Sequence, residues 1–298
     1  VTGARAAARA LVLVAAGLGA AAPAGAFFEQ TEVGARGVAM GRAYAPIADD
    51  ASAIYWNPGG LGVLDTPEVF FTHNRPFLVE DLALNFASVA WPTAYGTFWG
   101  AWSRLSLTDV TSEDMFYLGA ARRFELPDAR SVSVGASLKL ARIDFQGEVA
   151  TGSGTRTELA GATKALGDVG VLLRLSPRLT AAWVLRNLGE PTFDFIPGGG
   201  GTTVEMVHEG GLAYRWHPES IVSVALVESS EGDLTPVAGA EIRFYDVFDM
   251  RIGVGDLKFH GGVGVRTERL RVDASFVTHN TLGISTMVSV TVPVGGWR

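Results

Sequence analysis

Beyond Leu61 the chain settles into segments of about ten residues in which apolar side chains alternate with polar or small ones. This is the period-two signature of strands with two unlike faces. In 131–142, Val132, Val134, Ala136, Leu138 and Leu140 alternate with Ser131, Ser133, Gly135, Ser137 and Lys139. In 178–188, Leu179, Ala181, Trp183 and Leu185 share one face, and Thr180, Ala182, Val184 and Arg186 share the other. In 269–279, Leu270, Val272, Ala274 and Phe276 alternate with Arg271, Asp273, Ser275 and Val277. The pattern predicts fourteen strands, at 68–75, 81–91, 95–105, 114–125, 130–145, 166–176, 178–188, 205–217, 219–228, 235–245, 247–255, 258–267, 269–279 and 284–294.

The connections separate into two sets. The even-numbered ones are short: 92–94, 126–129, Pro177, Pro218, Asp246 and Glu268. The odd-numbered ones include long stretches at 146–165 and 189–204 and medium ones at 106–113 and 229–234, with Asp256-Leu257 a short exception. Short turns alternating with longer loops are expected of an even-stranded outer-membrane barrel, with the turns on the periplasmic side. Trp91, Tyr95, Phe124, Trp216, Phe244, Tyr245 and Phe248 flank the short connections, where such barrels carry an aromatic girdle. The faces opposite the apolar ones carry Lys139, Arg174, Arg186, Arg215, Glu241, Arg243, Arg251, Arg266, Arg271 and Asp273. A soluble β-sandwich or propeller is the competing architecture. So many charges on inner faces suit a solvated or salt-bridged lumen better than a dry core. Arg placed at Trp183 or Val134 is therefore expected to cost about 2–4 kcal/mol near the bilayer midplane, and Arg at Ser133 far less.

Composition agrees with a lipid-facing exterior: 48% hydrophobic and only 18% charged residues. There is no cysteine, so neither a disulfide nor thiolate-bound metal is available. Residues 1–26 read as a secretory signal, with Arg5 and Arg9 followed by an apolar stretch and Ala24-Gly25-Ala26 as the cleavage site. The apolar run is shorter than a spanning helix needs. The whole chain carries a net charge of −7; without Arg5 and Arg9, 22 basic residues face 31 acids, or −9. An acidic chain with no basic cluster along the sequence argues against nucleic-acid binding.

Segment 34–61 is not strand-like. Gly34, Gly37 and Gly41 give small-residue spacing for a helix packed tightly against a wall. Asp49 and Asp50 precede a short helical turn that either can cap, and Asn57-Pro58-Gly59-Gly60 is a turn cluster. Ala48-Asp49-Asp50-Ala51-Ser52-Ala53 followed by Tyr55-Trp56-Asn57-Pro58 resembles the N-terminal plug of FadL-type outer-membrane barrels, and more closely the shorter PorV/PorQ-type barrels. Arg186-Asn187-Leu188-Gly189 after a strand adds to the resemblance, whereas Gly59 stands where the FadL-type Asn-Pro-Ala motif has Ala. The resemblance implies an all-β fold, a 14-stranded antiparallel transmembrane β-barrel with an N-terminal plug, or hatch, inside the lumen. It divides the chain into a signal peptide (1–26), a plug (27–62) and a barrel (63–298). The plug residues it singles out are Asp49, Asp50, Trp56, Asn57, Pro58 and Gly59, with Asn57 holding the plug to the lumen, as a moving gate or a static closure.

Two functions follow from the resemblance. One is passive uptake of small hydrophobic compounds of fatty-acid or hydrocarbon type. Ligand enters at the outer loops and leaves sideways through the wall when the plug shifts. The other is a PorV-like docking role for an exported protein in secretion or cell-surface attachment. The outer loops lack the apolar helices with which longer FadL-type proteins capture ligand. Neither reading needs a cofactor, and location in an outer membrane with its lipid as partner is common to both. Asp49-Asp50 has too few neighbouring oxygen ligands for a cation site. Five scattered histidines offer no zinc spacing, and no nucleophile elbow or phosphate loop occurs. The chain is therefore expected not to be an enzyme. Either Trp297, second to last, serves as the terminal aromatic that barrel assembly reads, or the final strand itself is the signal.

Overall fold

The computed structural model describes residues 32–146, 148–150, 156–158, 161–194, 201–230, 232–279 and 282–295. The expected signal segment and Trp297 lie outside them. Fourteen long strands form the wall: β1 (Glu68–Arg75), β2 (Leu82–Thr93), β3 (Gly96–Leu107), β4 (Thr111–Leu126), β5 (Arg130–Phe145), β6 (Ala162–Arg174) and β7 (Leu179–Leu188). They continue with β8 (Val207–His217), β9 (Ser220–Ser229), β10 (Leu234–Phe244), β11 (Phe248–Gly255), β12 (Lys258–Arg266), β13 (Arg271–His279) and β14 (Gly283–Pro293). Each pairs antiparallel with its neighbours, and β1 closes on β14 in the register Glu68↔Pro293 to Arg75↔Thr286. Closure leaves no edge strand, as a bilayer requires of a sheet.

The alternation read from the sequence is the alternation of the wall. On β5, Val134, Leu138 and Leu140 are exposed while Ser133, Ser137 and Lys139 are buried. On β7, Trp183 is 47% exposed between buried Ala182 and Val184. The exposed apolar band is the face that meets lipid. Its aromatics Trp91, Tyr95, Phe124, Trp216, Phe244, Tyr245 and Phe248 are all exposed near the short-turn end.

Two expectations about connections need correction. Pro92 is not in a turn; β2 runs to Thr93 and pairs Pro92 with Thr97. The strand tolerates it because the ladder to β1 ends at Glu68↔Ala90, so no neighbour needs a proline N–H on that side. Pro236 and Pro293 follow the same rule: β11 begins pairing at Val237, and the ladder from β13 ends at Thr291. The expected medium loop 106–113 is mostly strand, because β3 and β4 extend to Leu107 and from Thr111. Short connections therefore occur on both rims. Asp256-Leu257 is one of them, a two-residue turn with both residues at positive φ (52° and 56°), the twist a tight hairpin favours.

Residues 33–64 lie against the inner face. They form two short helices, α1 (Ala35–Ala39) and α2 (Ala53–Trp56), and a 3-10 turn (Pro58–Val63). Their side chains Val33, Met40, Tyr44, Ile54, Trp56 and Leu61 form one buried cluster with wall residues that include Phe70, Phe86, Trp99 and Met115. The core is thus inside the closed sheet, and the inner segment fills it.

Candidate functional site

Glycine sets how closely the inner segment approaches the wall. Gly41 has φ +64°, and a Cβ there would lie 2.5 Å from the Ala238 carbonyl oxygen and 2.6 Å from the Val254 nitrogen. At Gly59 a Cβ would come within 2.6 Å of the Gly170 carbonyl oxygen. Backbone therefore packs on backbone at two places, β10–β11 and β5–β6, with wall glycines at 135, 170, 239 and 253 leaving the space. The small-residue pattern of the segment and the glycines inside the strands belong to one contact.

Buried charges tie the same surfaces together. Arg36, on α1, donates through Nε and Nη2 to the two Glu241 carboxylate oxygens (2.7 and 2.9 Å) and through Nη1 to Asp49 (2.5 Å) and to the Tyr44 hydroxyl (2.9 Å). Arg251 bridges Glu241 (2.6 Å), Asp249 (3.0 Å) and Asp273 (2.8 Å). Arg271 holds Asp273 (2.8 Å) and reaches Asp50 of the inner segment. Asp50 also accepts from the Tyr44 hydroxyl (2.9 Å) and from the Ser52 amide (3.0 Å). Burial works against a charge on Asp50, yet Arg271 and Arg36 hold its carboxyl well below the usual carboxylate range. Burial raises the Tyr44 phenol well above its ordinary value, so it stays a donor. Asp49 and Asp50 thus both take guanidinium groups.

Asn57 is fully buried. Its side-chain amide donates to the carbonyl oxygens of Ala45 (3.0 Å) and Val171 on β6 (3.3 Å), and its oxygen accepts from the Gly59 amide (2.9 Å). Pro58 starts the 3-10 turn, and the Gly59 carbonyl accepts from Ser133 on β5 (2.6 Å). Trp56 donates from its indole to the Val33 carbonyl (2.8 Å), which closes the segment on itself. The expectation that Arg at Ser133 is cheap fails here: Ser133 is 1% exposed and packed against the 3-10 turn.

The remaining inward charges form separate groups. Arg186 pairs with Glu209 (2.9 Å) and reaches the Trp56 carbonyl (3.3 Å). Lys139 pairs with Asp168 (2.6 Å) and with the Asn187 side chain (2.5 Å). Asn187, at φ 61°, also donates to the Glu205 carbonyl (2.8 Å), which fixes the two ends of the β7–β8 loop together. Arg174 and Arg215 sit near the short-turn rim, apart from the central network, whereas Arg243 joins it through Asp249 (2.7 Å) and Arg266 lies across the ladder from Arg271. Sequence alone does not single out Arg36, Tyr44, Glu209 or Asp168, and marks Asn187 only within the Arg186–Gly189 motif. For Glu209 and Asp168, the inward parity of their strands was the available signal.

Two apolar regions flank the network. Towards the long loops, Tyr55, Met115, Tyr117, Ile143 and Leu166 join the buried cluster, and Phe193 and Val204 from the β7–β8 loop complete it. On the wall, the inner segment's Ala43 and Ala45 pack on Ala182, Ala225 and Val237. An open cavity of about 930 Å³ lies at the same stretch, lined by these small inward residues and by outward Leu212, Val224, Leu226 and Val254.

No family model matches the chain, and no curated protein matches it. Solved structures do. A monoaromatic hydrocarbon channel, the TodX deltaS2S3 mutant, aligns at 11% identity and TM-score 0.65, covering 90% of this chain and 100% of the other. The CymD monoaromatic hydrocarbon channel aligns at 12% identity and TM-score 0.65, covering 90% and 99%. A Pseudomonas aeruginosa FadL homologue aligns at 12% identity and TM-score 0.57, covering 86% and 97%. The PorV/PorQ likeness read from the sequence has no counterpart among these three. At such identities the likeness is one of architecture, and the chain has the closed barrel fold of FadL-type channels.

Proposed function

We propose that this protein is an outer-membrane channel for passive uptake of small hydrophobic compounds, closed by residues 27–62 acting as a plug. The observation that carries the reading is the apolar lining above the inner segment. A water-filled porin has a polar interior, whereas here Met115, Tyr117, Ile143, Leu166 and Phe193 meet the plug. An apolar solute gains by entering such a lining, and an ion does not. The way out is lateral. Displacing Ala43–Ile47 from Ala182 and Ala225 bares a wall of small residues, and the solute crosses to the lipid-side cavity there when the paired strands part. The ion-paired half around Arg36 and Asp50 stays seated while this happens, because leaving Glu241 or Arg271 buried without its partner is costly.

The test combines flux and conductance. Cells depleted of other hydrophobic-solute channels should take up a labelled monoaromatic hydrocarbon or fatty acid faster with this protein than without it. Equal uptake overturns the channel. In planar bilayers the intact protein should conduct little, and deletion of 27–62 should raise conductance strongly. A deletion that folds, shown by heat-modifiable gel migration, yet conducts no more than the parent overturns the plug. Unchanged uptake together with a stable exported protein bound at the loop side would favour the PorV-like docking role instead.

A further inference from the structure

The short-turn rim of the barrel is basic on its inner side. Arg123, Arg174, Arg215, Arg243 and Arg266 occur one on each even strand from β4 to β12. Each lies directly across from an inward, buried residue: Ser133, Ser131, Ile221, Asp249 and Arg271 respectively. Arg243 is matched by Asp249 and Arg123 by Glu125, each at 2.7 Å. Among the described residues, Arg174 and Arg215 have no carboxylate within 4.0 Å. Among the described residues, the Arg215 guanidinium donates to the Pro218 carbonyl oxygen (3.2 Å) and to no carboxylate.

These two arginines, with Arg123, line a cavity of about 240 Å³ between the rim and the underside of the inner segment. Its other walls are amphipathic. Ile47 and Val63 come from the inner segment, and Leu172 and Ile221 from the barrel. Asp49 and Asp65 also border it. Asp49 is occupied by Arg36 at 2.5 Å, so Asp65 is the acid left to offset two free guanidinium groups. One further negative charge balances the site, and a second would face Asp65. An apolar cavity of about 150 Å³ admits benzene, so this one has room for a ring and a carboxylate.

We propose that this rim cavity binds a small amphipathic monocarboxylate. Its carboxylate lies between Arg174 and Arg215, and its apolar body lies on Ile47, Val63, Leu172 and Ile221. Guanidinium suits the planar, two-oxygen acceptor. The site stands on the turn side of the plug and does not depend on what the barrel conducts, since binding is read without flux.

The experiment is ligand-observed fluorine NMR on the full chain in lipid nanodiscs, with protein-free nanodiscs as the reference. The probes are 4-(trifluoromethyl)benzoate, the corresponding benzyl alcohol and inorganic phosphate. The benzoate should bind at least about tenfold more tightly than the alcohol, the effect of one to two charge-assisted hydrogen bonds, and phosphate should not displace it. Arg174→Gln and Arg215→Gln should each erase that preference, while Arg269→Gln, in an exposed turn, should keep it. Ile221→Trp, which fills the apolar half and leaves both arginines, should abolish benzoate binding. Folding of every variant is checked by heat-modifiable migration. Equal binding of alcohol and benzoate, displacement by phosphate, or a preference that survives in folded Arg174→Gln/Arg215→Gln overturns the proposal. If those glutamine variants do not fold, benzoate binding that survives Ile221→Trp overturns it.

Discussion

At Arg36 four partners meet in one guanidinium: Glu241 of the wall, and Asp49, Asp50 and Tyr44 of the inner segment itself. All but Asp49 are buried, so the pairs are shielded from solvent. Replacing Arg36 by Met leaves Glu241 with Arg251 alone and removes a cation facing Asp50. Breaking a buried pair in this way costs about 3–5 kcal/mol. Arg36→Met is expected to lower the midpoint of urea-induced release of the inner segment, read by protease cleavage within 33–64, and the pair Arg36→Met/Glu241→Met should recover part of the loss. A variant as resistant as the parent would show that the network does not hold the segment. Glycine gives a second contrast. Gly41→Ala places a Cβ 2.6 Å from the Val254 nitrogen, at φ +64°, and overpacking of this kind costs about 1–3 kcal/mol. Gly210→Ala meets nothing within 4 Å and should leave stability within about 0.5 kcal/mol of the parent. Equal effects of the two in urea unfolding would contradict the close approach.

At the scale of the strand, the same alternation sets what each substitution meets. Trp183 and Val134 point into lipid, with 47% and 40% of their surface exposed. Arg there should cost about 2–4 kcal/mol at the midplane, against about 0–1 kcal/mol for Ala94→Arg in the exposed β2–β3 turn. Unfolding in lipid vesicles reads the difference, and similar costs at Trp183 and Ala94 would mean that the apolar band does not face hydrocarbon. Ser133 shows where strand-level reasoning stops. Period two puts it on the inner face, and an inner face in a water-filled lumen accepts Arg. Here that face is covered by Gly59 and Gly62, so Ser133→Arg belongs with the disruptive substitutions.

For the whole molecule, the buried ion pairs make the hold of the inner segment, the plug proposed above, depend on pH. The Asp50 carboxyl is depressed in the folded protein. Its contribution is therefore complete above the ordinary carboxylate value of about 3.9 and is lost as pH falls through the folded value. Between about pH 8 and about pH 5 the Asp50 contribution should stay constant, and a rise in bilayer conductance through its loss should come only under stronger acid. Asp50→Asn should leak across that whole range. A rise centred near neutral pH would assign the hold to another group.

The sequence by itself determined the barrel. Period-two alternation is local and survives without knowledge of partners, so all fourteen strands were legible, with ends displaced by at most four residues, at the start of β6. It also marked 34–61 as different, because glycine, proline and the Asp-Asp pair break the alternation within a few residues. What it left open is who meets whom across the lumen. Asp49 and Asp50 are adjacent in sequence, yet one faces Arg36 and the other also takes Arg271, 221 positions away. A local pattern reports which face a side chain occupies, not what stands opposite it. Pro92 inside β2, Ser133 beneath the 3-10 turn and the unmatched Arg174 and Arg215 were decided only when the sheet closed. Closure brings together strands whose order in sequence carries no information about their spacing across the interior.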